Sequence, residues 1–327
     1  IEKKIEKLIS NPNKYLKIIS SSSKSGKALR LEDSSGRYSE HLKSTLDTKS
    51  IFKKFKIVLD CANGATYQVA PNLFWELGHQ VISINSNPDG TNINKNCGAV
   101  DVNELKKIVL KKRADIGFAF DGDGDRLIVV DEKGNEVDGD KIIALFAKHF
   151  IGSQKKLENK KVITTVMSNL GFEKYLKKEL NISLIRTDVG DINVINAMQK
   201  NKSLLGGEQS GHIILSEYSN TGDGILAALK IIEIMSKKND KTSKIFDLYK
   251  ELPQKKINIK YKKINNNIRK KINSFSLNQS NNTKFYRLLI RFSGTEPLIR
   301  ILVEGASSNE VDFIAKKIEK KIRSYIV

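Results

Sequence analysis

A chain of 327 residues with 39% apolar content is longer than one hydrophobic core usually serves, which predicts two or three domains. Charged residues make up 29%, and no apolar run reaches the roughly 20 residues that span a bilayer, so no membrane partner is expected. Lys and Arg number 57 against 37 Asp and Glu, a formal charge of +20. The basic residues are spread along the chain rather than clustered, so no specific nucleic-acid partner is expected from charge alone. Cys61 and Cys97 are the only cysteines, too few for a disulfide framework or paired CxxC knuckles, and the expected compartment is a reducing cytoplasm. Residue 1 is Ile, and the chain opens on a charged helical pattern without a signal-like apolar stretch, which reads as a processed or truncated start.

In chain order, Ile5, Leu8 and Ile9 mark a helix over 2–9, and Ser20 to Gly26 reads as a linker. Lys56 to Leu59 is an apolar strand, Asp60 to Gly64 a turn, and Tyr67 to Leu77 an amphipathic helix closed by Gly78. The pattern continues with strand Gln80 to Ile84, helix Val102 to Lys112, strand Asp115 to Phe120 and a short strand Leu127 to Val130. A second round runs through strand Val162 to Val166, helix Gly171 to Leu180, strand Ser183 to Ile185, helix Val194 to Gln199, strands near Leu204 and Ile213, and helix Gly224 to Met235. Pro253 opens a strand-like stretch, an Asn-rich helix lies within Asn265 to Asn282, and strands Tyr286 to Ile290 and Leu298 to Val303 precede helix Asn309 to Tyr325.

This order predicts an α/β protein: two consecutive α/β domains with mixed, mainly parallel sheets, then a small α+β C-terminal domain. The expected boundaries are 1–19 for an N-terminal tail or linker, 20–153, 154–250 and 251–327.

The strongest local motif is Asp121-Gly122-Asp123-Gly124-Asp125-Arg126, after an apolar strand. Glycines let three carboxylates fold onto one centre, and hard oxygen donors suit Mg²⁺ or Ca²⁺. A solvated acidic turn is the plainer reading, but three like charges repel unless a cation neutralises them. Glu132 falls at the twelfth position counted from Asp121, as in an EF-hand, yet Leu127 to Val130 is strand-like where an EF-hand needs oxygen ligands, so a compact Mg²⁺ loop is favoured. Arg126 either grips a phosphate or balances local charge.

Arg291-Phe292-Ser293-Gly294-Thr295-Glu296-Pro297, with Arg300 beyond it, presents backbone N–H groups, hydroxyls and guanidiniums. It reads as an anion cradle or as a plain hairpin loop. Gly207-Glu208-Gln209-Ser210-Gly211-His212 offers side chains suited to vicinal sugar hydroxyls. Asp223, before an apolar helix, reads as a helix cap.

Together with Asp60-Cys61-Ala62-Asn63-Gly64-Ala65, these motifs, in this order, resemble the α-D-phosphohexomutase superfamily, and within it the phosphoglucosamine mutase branch, over nearly the whole chain. The resemblance implies interconversion of glucosamine 6-phosphate and glucosamine 1-phosphate through a phosphoserine and a bisphosphate intermediate. It implies Mg²⁺ held by Asp121, Asp123 and Asp125, Arg126 beside the reacting phosphoryl group and His212 near it. Glu208, Ser210, Gly190 and Asp191 are implied to orient the sugar. Arg291, Ser293, Gly294, Thr295 and Arg300 are implied to anchor the non-reacting phosphate of a hexosamine phosphate substrate. Where the branch usually continues with Arg after Asp191, this chain has Ile192. The family's Ser-His-Asn-Pro loop, which carries the phosphoserine, is not among these residues, since Ser86-Asn87-Pro88 sits inside the second-domain pattern. The expectation is therefore that an N-terminal phosphoserine domain is missing, and that the chain alone turns over no substrate. Phosphomannomutase or phosphoglucomutase activity, and non-catalytic sugar-phosphate binding, are the alternatives.

Overall fold

The computed structural model describes residues 2–11, 27, 29, 31, 33–47, 53–152, 160–262, 264–282, 286–293 and 296–326. The chain divides into two units, residues 1–41 and 42–327. In the first, helix α1 (Glu2–Ile9) leaves Ile5, Leu8 and Ile9 exposed, and helix α2 (Ser34–Ser44) begins beside an Arg37 to Asp33 ion pair of 2.7 Å. The linker expected at Ser20 to Gly26 lies outside the described residues.

The second unit holds three sheets. The first combines β1 (Lys56–Asp60), β2 (Gln80–Ile84), β3 (Ile116–Phe120), β4 (Leu127–Asp131) and β5 (Glu136–Val137) in the order β2-β1-β3-β4-β5. β1 pairs with β2 and β3 in parallel, whereas β4 and β5 return antiparallel. β1 and β3 are buried almost throughout, as unbroken apolar runs in parallel strands should be. Helix α3 (Val69–Glu76) connects β1 to β2, and α4 (Asn103–Lys112) leads to β3, its Leu105 and Val109 packing on Val58, Ala119 and Val130. Because the chain leaves β1 on one side and returns as β3 on the other, the carboxyl ends of these two strands form a topological switch point, where open α/β sheets leave a crevice.

The second sheet repeats this plan. β6 (Lys161–Thr165), β7 (Ser183–Thr187), β8 (Leu205–Gly207) and β9 (Ile213–Leu215) lie in the order β7-β6-β8-β9, again with two parallel pairs but with a single antiparallel return. Its crossovers are α6 (Leu170–Glu179) and α7 (Asp191–Asn201). The loop after the third strand therefore emerges at the same place in both sheets.

Helix α5 (Gly139–Gly152) was not anticipated from the sequence. Its Ile142 to Ala147 segment is buried at every position, so it lacks the polar stripe by which a surface helix declares itself. Helix α8 (Gly224–Lys238) is likewise buried at every residue from Gly224 to Met235, because it packs on β3 and β4 of one sheet and β9 of the other. The Asp223 side chain caps it by accepting from Leu226 N at 2.9 Å. After the short helix α9 (Thr242–Ile245), the third sheet is antiparallel, β10 (Gln254–Lys260), β12 (Leu298–Gly305), β11 (Tyr286–Phe292), in the order β10-β12-β11. Helices α10 (Asn266–Asn282) and α11 (Ser308–Ile326) contribute Ile272, Val311, Ala315, Ile318 and Ile322 to its core. No helix among the described residues is long and apolar enough to cross a membrane.

The third sheet docks on the second through polar groups at the start of α6. Glu304, fully buried, accepts from Leu170 N at 2.7 Å, from Gln254 Nε2 at 3.0 Å and from Arg287 Nη1 at 2.9 Å. Arg287 also donates to Ser168 O at 2.8 Å and to Val166 O. Asn169 caps α6 by accepting from Gly171 N, and also accepts from Leu252 N and donates to Leu252 O. Its own N–H donates to Asp140 Oδ2 at 2.7 Å.

Two consequences are testable. Truncating a buried ion-pair partner leaves the other charge uncompensated, so Glu304→Ala is expected to lower stability by about 3–5 kcal/mol in denaturant titrations. Complete burial, and then the Asp138 charge, push the Asp140 carboxyl well above the usual carboxylate range. A raised folded-state value means that the folded chain holds a proton the unfolded chain releases. The corresponding stability is full below the ordinary carboxylate range, at about pH 4, and is lost as pH rises toward neutrality. Asp140→Asn keeps an acceptor for Asn169 N and cannot ionise. Its denaturation midpoint should therefore fall less than that of the parent chain between about pH 5 and 8.

Candidate active site

Two loops meet at the switch point of the first sheet. Asp60 ends β1 and is fully buried. Its carboxylate accepts from Ala62 N at 3.0 Å and Gly98 N at 2.9 Å, which holds Ala62 and Asn63 in left-handed conformations at φ 52° and 48°. Burial raises the Asp60 carboxyl above its ordinary value, against those two hydrogen bonds. The turn then presses on the acidic loop: Ala65 N donates to Gly122 O at 2.8 Å. A Cβ on Gly64 would lie 2.2 Å from that same oxygen, so only glycine allows the approach.

In the acidic loop, one carboxylate oxygen each from Asp121, Asp123 and Asp125 lie within 4.8 Å of one another. Asp121 Oδ1 accepts from Arg126 N at 3.1 Å. Burial raises the Asp121 carboxyl, and the neighbouring Asp125 charge raises it further. Arg126 Nε stands 3.5 Å from Asp121 Oδ2 and 3.8 Å from Asp125 Oδ1. Asp125 Oδ1 is buried without a hydrogen-bond partner. Crowded carboxylates with an unsatisfied buried oxygen suit a hard divalent cation. The EF-hand alternative has no support in the geometry: Leu127–Asp131 is a strand, and Glu132 accepts from Ser243 N at 2.8 Å and Ser243 Oγ at 2.5 Å.

His212, buried at 2% exposure, connects this loop to the second sheet. Gly222 N donates to its Nε2 at 3.2 Å, so the ring proton is on Nδ1, which donates to Asp125 Oδ2 at 3.0 Å. The imidazole thus reaches the site through Asp125. Arg126 and His212 also form a β-bridge, with Leu127 N donating to Gly211 O at 2.9 Å.

The loop after β8 holds the predicted sugar contacts. Glu208 Oε1 accepts from Gly190 N at 3.0 Å, and Ser210 Oγ donates to Glu208 Oε2 at 3.3 Å. Asp191 opens α7 and accepts from Ile192 N at 2.8 Å, with Ile192 itself 51% exposed. Gly190, Glu208 and Ser210 are therefore together, whereas the Asp191 carboxylate is engaged at its own helix start.

In the third sheet, Arg291 and Arg300 stand directly opposite each other across β11 and β12. Burial lowers the Arg291 guanidinium from its ordinary value and the Arg300 charge lowers it further, while Asp188 and Glu208 act in the opposite direction. Arg300 donates to Glu296 Oε2 at 2.7 Å, but its Nε is buried without a partner. Two facing guanidiniums and an unused donor suit an anion. Ser293 follows β11 and donates its N–H to Leu298 O at 2.8 Å. Gly294 and Thr295 lie outside the described residues.

Sequence reasoning placed Asp60 in a turn and in a motif of the resemblance but gave its side chain no part, and it missed Asp138 and Asp140, for which the available signal was an Asp-Gly-Asp run opening a helix.

Models of phosphoglucomutase/phosphomannomutase domains II, III and C-terminal match residues 36–134, 138–254 and 282–321. Phosphoglucosamine mutase of Bartonella quintana is 43% identical over 96% of this chain and 68% of its own length. That of Nautilia profundicola is 44% identical over 99% and 72%. Among solved structures, a phosphoglucomutase/phosphomannomutase family protein from Burkholderia thailandensis superposes with a TM-score of 0.76 at 20% identity, covering 89% of this chain and 64% of that one. Aspergillus fumigatus N-acetylphosphoglucosamine mutase, in complex with GlcNAc-6P and magnesium, gives 0.69 at 20% identity, covering 90% and 65%. The chain thus spans about two thirds of the length of these proteins. With relatives this similar along nearly all of its residues, the chain belongs to the phosphoglucomutase/phosphomannomutase family, in its phosphoglucosamine mutase branch.

Proposed function

We propose that this chain carries the metal, sugar and phosphate sites of a hexosamine-phosphate mutase that interconverts glucosamine 6-phosphate and glucosamine 1-phosphate in the cytoplasm. The observation that carries the reading is the Asp121, Asp123, Asp125 cluster, tied through His212 to the loop that bears Glu208 and Ser210. Asp121, Asp123 and Asp125 hold Mg²⁺ in this reading, which lowers the charge on a phosphoryl group in transfer. Arg126, with its side chain 42% exposed beside the carboxylates, grips phosphoryl oxygens. His212 holds the Asp125 carboxylate in place and donates its Nδ1 proton there.

Glu208 and Ser210 hold vicinal hydroxyls, an arrangement that their mutual hydrogen bond prepares. Gly190 orients Glu208 through its backbone N–H, and Asp191 fixes the start of the helix beyond. Arg291 and Arg300, with Ser293, Gly294 and Thr295, clamp the phosphate that is not transferred. A phosphate between the two guanidiniums relieves their mutual repulsion. The partner in this reading is a small sugar phosphate, with neither a specific nucleic acid nor a membrane.

Residues 1–327 contain no Ser-His-Asn-Pro loop. They bind in this reading, but they lack the serine that exchanges the phosphoryl group. A polypeptide of these residues should show no turnover of glucosamine 6-phosphate with Mg²⁺ and glucose 1,6-bisphosphate in a coupled assay, and sustained turnover would overturn the assignment of the donor. Calorimetric titration of Mg²⁺ should give at least about tenfold weaker binding to Asp123→Ala than to the parent chain. Equal affinities would remove the metal site.

A further inference from the structure

Gln209 lies between the two residues that are assigned to the sugar hydroxyls, yet its side chain is engaged elsewhere. Its Oε1 accepts from Lys256 Nζ at 3.1 Å. The ammonium leaves the amide one favourable orientation, because a flip sets donor against donor. The backbone adds a second tie, since Gly139 N donates to Gln209 O at 3.0 Å. A Cβ on Gly139 would come within 2.0 Å of Glu208 O, so the loop is pressed against the start of α5.

Each partner belongs to a different part of the fold. Gly139 opens α5, and Asp138 before it accepts from Lys141 N at 3.1 Å. Lys141 is paired with Glu251 at 2.8 Å, on the segment leading into the third sheet. Lys256 lies on β10, two residues from Asn258, which faces Arg300 of the phosphate clamp. The strand that supports the clamp therefore also reaches the sugar loop, and Gln209 is where it does so.

We infer that Gln209 is a positioning residue whose side chain ties the Glu208 and Ser210 loop to the third sheet through Lys256, while its backbone is held to the start of α5 by Gly139 N, so that the grip on the sugar hydroxyls depends on the docking of the phosphate-clamping strands. This inference rests on the function proposed above for Glu208, Ser210, Arg291 and Arg300.

The full chain is compared with Gln209→Met, Lys256→Met and the double variant. Without ligand, amide hydrogen exchange across residues 206–212 should quicken about tenfold in Gln209→Met and less in Lys256→Met. With ligand, Gln209→Met should bind glucosamine 6-phosphate about tenfold more weakly, yet inorganic phosphate, a probe of the clamp alone, within about twofold. Because one tie is removed in either case, the double variant should bind no more weakly than Gln209→Met. Parent-like exchange in Gln209→Met, equal weakening of both ligands, or additive losses would each overturn the inference. A parent chain that binds inorganic phosphate but not glucosamine 6-phosphate sinks the proposed function instead, and the exchange result alone then decides whether the tie exists.

Discussion

The hydrogen bond from His212 Nδ1 to Asp125 Oδ2 is the contact on which the arrangement of the site turns. The acidic loop belongs to the first sheet and the histidine to the second, and the bond sets where one stands against the other. Its direction is not free, since Gly222 N donates to the opposite ring nitrogen and so determines which nitrogen carries the proton. A carboxylate held this way has one oxygen committed, and the other has no hydrogen-bond partner but stands 3.8 Å from Arg126 Nε. Three carboxylates gathered this closely repel one another unless positive charge is brought among them, an arrangement that suits a cation.

The junction between the second and third sheets uses the same device with the charges reversed. Arg287 reaches backbone carbonyls at the end of β6, and Glu304 takes the free N–H at the start of α6. A helix start carries unpaired donors and a partial positive charge, so a buried carboxylate from the neighbouring sheet is a natural partner. In both junctions few groups are involved, and the bonds between them are directional. Such contacts set relative position more sharply than apolar packing, which tolerates sliding.

Much of this was legible from the residues, where the physics is local. β2 falls on the predicted Gln80–Ile84, because its ends are marked by Gly78 and by the Asn and Pro turn beyond. The Asp223 cap, the acidic loop and the paired arginines were readable from residue type and short spacing. Helix α5 was not, since burial on all sides removes the periodicity that announces a helix. The part played by Asp60 could not be read either, because one of its partners is Gly98, far along the chain. Gln209 is the sharper case: its place in a sugar-contacting motif suggests a ligand contact, and only the position of Lys256 on a strand of another sheet shows where its side chain is engaged.

The four strands of the second sheet follow the order of the first four of the first sheet, and each sheet sends its third-strand loop toward the other. Where the loops meet, the join is the bridge between Arg126 and His212 and the bond from Leu127 N to Gly211 O. These are main-chain groups, which every residue but proline supplies. The seam is therefore held by backbone groups, with Gly211 itself fixed, since its φ is +99° and a Cβ there would lie 2.4 Å from Leu127 O. A fold stitched in this way can drift far in sequence and still be kept, in keeping with a TM-score of 0.76 at 20% identity. Divergence among such proteins is then free to accumulate in side chains, while the scaffold that presents them stays the same.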